Sequence, residues 1–213
     1  MQRLRLNSAY PGLELLHREP PVYRIPSFIP GRFCEKIRDA ARPRLRPSTV
    51  VDLSAEERGK GGIRSGGGRD SSSMFMHHKA LPTLLSRVEE LLGLPRSRFE
   101  YPQVTRYLRG EQYTSHNDAI DLSADAGRRM SRHGGQRIAT LLVYLSTCDS
   151  GGATHFGRLG LRVRPVEGSA VLFFPAFLCG TIDPLLQHSA EPAIGEKWVA
   201  QLWARQRDLH PGG

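Results

Sequence analysis

The hydrophobic pattern of this 213-residue chain changes period once, near Glu100, and that change limits the folds open to it. Before it, apolar residues recur at helical spacing. Phe28 to Ala41 predicts a helix, with Phe33, Ile37 and Ala40 on one face and Pro43 and Pro47 as its stop. Leu81 to Leu92 predicts a second helix, with Leu81, Leu84, Leu85, Val88, Leu91 and Leu92 on one stripe and Gly93 just past its end. Beyond Glu100, Gln103–Leu108, Ile138–Leu145, Leu161–Val163, Ala170–Phe174 and Trp198–Trp203 read as short strands separated by Gly, Asp and Pro. Helices first and many short strands later imply an α+β chain whose body is a sandwich or barrel.

Hydrophobic residues make up 39% of the chain, enough for one core, and no apolar run approaches the ~18 residues of a membrane span. Residues 1–24 are expected to be irregular, with an edge strand near Val22 to Ile25, residues 25–207 to form one domain, and residues 208–213 a tail. Met1 to Tyr10 carries Arg3 and Arg5 and lacks the apolar centre of a secretory signal. The cysteines are Cys34, Cys148 and Cys179, an odd number that argues against a disulfide framework and suits the reducing cytoplasm. The net charge of +9 could attract an acidic partner. The basic residues are scattered rather than striped, which fits a solvated surface better than a nucleic-acid site. Residues 52–73, with six glycines between Gly59 and Gly68, are expected to form a flexible lid-like loop.

The pair His116-x-Asp118 carries the chemistry. Residues i and i+2 of a strand share a face, so the two could grip one ion. His188, arriving from a distant strand, would complete two nitrogens and one carboxylate, the open-sided set that a non-heme Fe(II) oxygenase needs. Taken alone, these residues leave a metal site and a structural role equally open. No CxxC pair points to zinc.

The surroundings break that balance. Arg42 to Asp52 (RPRLRPSTVVD), Ser71 to Met76 (SSSMFM), RYLRGEQYTSHND around the metal pair, RIATLLVYL, SGGATHF, DPLLQH and GEKWVAQLW occur in this order. With them the chain, from about residue 25 to 205, resembles the prolyl 4-hydroxylase family of 2-oxoglutarate/Fe(II)-dependent dioxygenases. The resemblance implies a double-stranded β-helix (jelly roll) with supporting N-terminal helices. It implies Fe(II) as cofactor, 2-oxoglutarate and O2 as cosubstrates, room for ascorbate, and a proline-containing peptide or protein as substrate, hydroxylated at C4. His116, Asp118 and His188 would be the metal ligands and the catalytic set. Lys197 would anchor the far carboxylate of 2-oxoglutarate, Tyr107 and Thr140 would hydrogen-bond it, and Trp203 would wall its pocket. Arg69, Glu100 and Arg205 would stand near the substrate. His77, His78, His133 and His155 are expected to be bystanders.

The chain departs from the family pattern at Ala153, where the family often has Glu, and at Ser189–Ala193. It also has nine residues from His188 to Lys197, one fewer than usual, which a bulge or tighter turn would have to absorb to keep Lys197 in register. Two other readings stand beside the leading one: a related dioxygenase acting on another side chain or a small molecule, and a non-catalytic binding module of the same fold. The intact triad and Lys197 argue against the second. Lys197 also argues against nucleic-acid demethylases, which anchor 2-oxoglutarate with arginine, and Asp118 argues against a halogenase.

Overall fold

The computed structural model describes residues 1–52, 62–65, 68–148 and 150–209. Three helices are present among them: α1 (Gly31–Ala41), α2 (Pro82–Leu92) and a short α3 (Asp125–Ser131). The strands, in chain order, are β1 (Glu14–His17), β2 (Val22–Ile25), β3 (Arg46–Pro47), β4 (Thr49–Asp52), β5 (Gly62–Ser65), β6 (Ser72–Phe75), β7 (Gln103–Tyr107), β8 (Tyr113–His116), β9 (Arg137–Tyr144), β10 (Thr154–Phe156), β11 (Leu161–Val163), β12 (Ala170–Phe173), β13 (His188–Ala190) and β14 (Lys197–Arg205).

The first helix begins at Gly31 rather than Phe28, because Pro30 holds an extended conformation at its N-terminus (φ −64°, ψ 148°) and disfavours helix in the residue before it. Cys34, Ile37 and Ala41 form its buried face. Pro82 opens α2, where a missing N–H costs nothing, and Gly93 closes it in the left-handed region at φ 62°. Leu84, Leu85, Val88, Leu91 and Leu92 are the face that α2 buries, each contributing roughly 1.5–3 kcal/mol through removal of apolar surface from water.

An antiparallel eight-stranded sheet runs in the order β1-β2-β12-β9-β14-β7-β6-β3, and a four-stranded sheet in the order β11-β10-β13-β8 lies over it. This is the expected jelly roll. Strands β9 and β14 are buried almost throughout, since both faces of the large sheet are covered. On one face Leu141, Val143, Trp198 and Leu202 pack against the helices. On the other Leu142, Tyr144, Phe156, Phe173 and Val199 fill the space between the sheets.

Three boundaries differ from expectation. Residues 1–24 are not simply irregular: β2 pairs with β12 (Val22↔Phe173 to Ile25↔Ala170) and is an inner strand, and β1 takes the edge. Residues 52–73 are not one continuous loop, since β5 pairs with β4 (Thr49↔Ser65 to Asp52↔Gly62) and β6 joins the large sheet beside β7. Residues 53–61 and 66–67, which carry most of the expected lid, lie outside the described residues. In the tail, Asp208 accepts a hydrogen bond from Ser97 Oγ at 2.8 Å and the Leu209 N–H donates to the Ser97 carbonyl at 2.8 Å. Residues 210–213 are outside the described residues. No helix among the described residues is long and apolar enough to cross a membrane.

Candidate active site

Strand β8 delivers His116 and β13 delivers His188, and the two are direct partners in the antiparallel ladder. Asp118 lies just past the end of β8 rather than within it, so the shared face expected from strand alternation is not what unites the pair. The bend that follows β8 turns the carboxylate back: Asp118 Oδ1 is 3.7 Å from His116 Nε2, and Oδ2 is 3.7 Å from His188 Nε2. One ligand atom from each of the three residues fits within 4.8 Å of the others, the one such group of His, Cys, Asp or Glu among the described residues. His155 takes no part and instead lies 3.5 Å from Glu191.

The donor set fits an iron(II) ion. His116 Nδ1 donates to the Thr114 carbonyl at 2.9 Å, and His188 Nδ1 to the Leu186 carbonyl at 3.1 Å. A carbonyl can only accept, so each ring keeps its proton on Nδ1 and turns Nε2 toward the site. Burial, and then the facing His188, push His116 well below the usual histidine range, so the ring is neutral. Burial would raise the Asp118 carboxyl, but His188, His116, Arg137 and a hydrogen bond from Thr140 outweigh it and hold the group ionised. Tyr113 stacks on His116 with ring centroids 3.6 Å apart and an interplanar angle of 17°.

A narrow cavity runs from the two imidazoles to Lys197, walled by Tyr107, Leu142, Thr154, Val199 and Gln201. Lys197 is 1% exposed, and the Nζ has no hydrogen-bonding or carboxylate partner among the described residues. Burial drops its pKa to about 8, against weaker opposing effects of Cys148 and Glu191. A buried ammonium that faces only the Tyr107 ring at 5.2 Å and the Tyr144 ring at 6.0 Å is costly, and an incoming carboxylate would offset that cost. The shortened spacing from His188 leaves the register intact: Lys197 opens β14 directly opposite Tyr107. Gly152 (φ 66°) makes room for it, since a Cβ there would lie 3.3 Å from both Lys197 Cδ and Cys148 Sγ. With the side chains as they stand the cavity holds about 20 Å³.

A second, wider cleft of about 450 Å³ opens on the other side of the triad, lined by Arg69, Phe75, Tyr113, Met130, Arg137 and Trp203 among others. His116, Tyr113 and Gln201 border both spaces.

Of the residues expected at 2-oxoglutarate, Tyr107 and Lys197 line the inner cavity. Thr140 does not, because its hydroxyl donates to Asp118 Oδ2 at 2.8 Å. Trp203 walls the outer cleft instead, one turn of the strand alternation beyond Gln201, with the Arg137 guanidinium 3.8 Å above its ring. Of the residues expected near the substrate, Arg69 reaches the outer cleft, where Ser71, Gln103 and Thr105 hold its guanidinium. Glu100 and Arg205 line neither cavity. The Glu100 carboxylate is gripped by Arg137 at 2.6 and 2.8 Å and by Arg205 at 2.8 Å, and Arg205 also donates to the Met130 and His133 carbonyls. Burial would raise Glu100, but the two arginines hold it below the usual carboxylate range.

Sequence reasoning missed Arg137, which carries the Glu100 pair into the cleft wall, and Gln201, whose Nε2 donates to Asp118 Oδ2 at 2.9 Å. Strand alternation from Lys197 through Val199 to Trp203 was the available signal for Gln201. No local pattern marked Arg137.

The 2OG-Fe(II) oxygenase superfamily model matches residues 102–205, which span β7 to β14 and so contain the triad and Lys197. Prolyl 4-hydroxylase 13 of Arabidopsis thaliana is 34% identical over an alignment covering 88% of this chain and 72% of that protein. Prolyl 4-hydroxylase subunit alpha-1 of Rattus norvegicus is 35% identical over 89% of this chain and 35% of its own length. Among solved structures, the viral collagen prolyl hydroxylase of Paramecium Bursaria Chlorella virus-1, in its 2OG complex, superposes with a TM-score of 0.65 at 24% identity, covering 86% of this chain and 95% of that one, a likeness of fold. With the family's ligand types assembled at one point of the family's fold, the chain belongs to the prolyl 4-hydroxylase family and is a 2-oxoglutarate- and Fe(II)-dependent dioxygenase.

Proposed function

We propose that this dioxygenase hydroxylates C4 of prolyl residues in a peptide or protein, with His116, Asp118 and His188 holding the iron. The observation that carries the reading is the meeting of two spaces at the triad, an inner one ending at the buried Lys197 and an outer one open to solvent. Bound Fe(II) supplies the oxidising chemistry, in which O2 and 2-oxoglutarate become succinate, CO2 and the oxygen atom inserted into a substrate C–H bond.

The protein's part is placement. Lys197 meets the far carboxylate of 2-oxoglutarate with an ammonium that water cannot screen, and the protonated Tyr107 hydroxyl, kept neutral by burial, stands opposite it in the ladder. A neutral His116 imidazole offers its lone pair without first losing a proton. In the outer cleft, Tyr113, Phe75 and Trp203 present rings suited to an extended, polyproline II-like segment, whose low conformational freedom favours docking. Arg69, fixed by three side chains, and Arg137 place cationic groups along that wall. The names of the relatives, prolyl 4-hydroxylases at 31–35% identity, support proline as the target. The free thiols of Cys34, Cys148 and Cys179 support a reducing, cytoplasmic setting, which cell fractionation would test.

Mass spectrometry of a proline-containing peptide library, incubated with the protein, Fe(II) and 2-oxoglutarate, tests the reading. A gain of one oxygen atom localised to proline is expected. Succinate formation with oxygen placed on another residue or on a small molecule would favour the related dioxygenase instead. Binding of the peptides without succinate would point to a non-catalytic module.

A further inference from the structure

We propose that Gln201, together with Thr140, is a positioning residue that selects which oxygen of Asp118 faces the metal. This rests on the triad assignment above. Thr140 Oγ1 donates to Asp118 Oδ2 at 2.8 Å, and Gln201 Nε2 donates to the same oxygen at 2.9 Å. A carboxylate oxygen has two lone-pair directions, and these two donors occupy both. Both oxygens lie 3.7 Å from an imidazole Nε2, Oδ1 from His116 and Oδ2 from His188, so the donors decide between them: Oδ1 has none among the described residues. Oδ1 is therefore the ligand atom, and Asp118 binds through one oxygen.

The consequence concerns coordination positions. A carboxylate free to rotate can chelate with both oxygens, and the second would fill a position that 2-oxoglutarate or O2 requires. Two donors on Oδ2 oppose that rotation. They come from different strands, Thr140 from β9 and Gln201 from β14, and the large sheet fixes their separation: Trp203 is the ladder partner of Thr140 and Leu142 that of Gln201. Gln201 also borders both the inner cavity and the outer cleft, so the amide holding Asp118 sits in the wall between cosubstrate and substrate. Its orientation follows from chemistry, since an ionised carboxylate can only accept and the NH2 end must face it.

The test is an anaerobic Fe(II) titration of the full chain, followed by calorimetry without 2-oxoglutarate and then, with 2-oxoglutarate present, by the weak metal-to-ligand absorption band. The variants are Gln201→Met, which keeps length and loses the donor, Thr140→Val, which loses the hydroxyl, and Thr140→Ser, which keeps it. Gln201→Met and Thr140→Val should each weaken Fe(II) binding about 10-fold without cosubstrate and weaken or shift the band at saturation, while Thr140→Ser should restore both. A purely structural role would lower the melting temperature of the metal-free protein and leave Fe(II) affinity and band at wild-type values, which overturns the proposal. So does an unchanged Fe(II) affinity with a weakened 2-oxoglutarate affinity, because Gln201 would then be a cosubstrate contact. Should Gln201→Met fail to fold, the Thr140→Val and Thr140→Ser pair decides alone. If the wild-type chain takes up no Fe(II), the triad assignment falls first. If the wild type binds and Asp118→Ala does not, equal binding by Gln201→Met sinks this inference only.

Discussion

Replacing Lys197 with methionine should move two measurements in opposite directions. The side chain is 1% exposed and its pKa falls from 10.5 to about 8 through burial. That fall corresponds to roughly 3 kcal/mol by which the folded protein without cosubstrate disfavours the charged lysine. Methionine fills similar space with no charge to desolvate, so Lys197→Met should stabilise the cosubstrate-free protein by up to about 3 kcal/mol at pH 7. The sign against pH follows from linkage. Below about 8 the lysine is protonated in both states and the full cost is present. Between about 8 and 10.5 the unfolded chain binds more protons than the folded one, so wild-type stability rises with pH and the advantage of Lys197→Met shrinks. Binding reverses the order. Losing the ammonium leaves the far carboxylate of 2-oxoglutarate buried and unpaired, which costs about 2–5 kcal/mol, or at least a 30-fold higher requirement. Chemical denaturation at pH 7 and pH 10, with 2-oxoglutarate titration at pH 7, gives both numbers. An unchanged 2-oxoglutarate requirement would refute the anchoring role, and no gain in stability at pH 7 would refute the burial argument. Arg205 offers no substitute anchor, since it is buried against Glu100 and away from the inner cavity.

Two further outcomes follow from the site and its wall. Asp118→Ala removes the one carboxylate from the ligand group and should abolish succinate formation in a coupled assay, and retained turnover would take Asp118 out of the triad. Glu100→Gln leaves Arg137 and Arg205 without their shared countercharge and should destabilise the fold by about 3 kcal/mol at pH 7 in urea unfolding. Because the Glu100 carboxyl is held low, its stabilisation is present above the ordinary carboxylate range and is lost as pH falls through its folded value. The gap between wild type and Glu100→Gln should therefore narrow in acid, and a gap independent of pH would mean that the network acts through packing alone.

The sequence by itself marked the two longer helices, the strands β7, β9, β11, β12 and β14, and the candidate ligands. Helical spacing up to Leu92 and strand-type runs after Glu100 reflect which face of each element must leave water, and that is a local property of the chain. His116, Asp118, His188 and Lys197 were legible because the chemistry restricts the residue types and the motifs fix their order. Tertiary structure decided the partners. His188 meets His116 only because β13 lies antiparallel to β8, a pairing between residues 72 positions apart. Thr140, Trp203, Glu100 and Arg205 sat on the expected strands or at their ends, yet they serve other neighbours, because alternation tells which face a side chain takes and not what stands across from it. Strand β1 escaped notice, and β2 was expected at the sheet edge rather than inside it, for a related reason: the place of β2 is set by its ladder with β12, more than a hundred residues away. A polar side chain's role is set by the group it satisfies, and that group is chosen by the packing of the whole sheet.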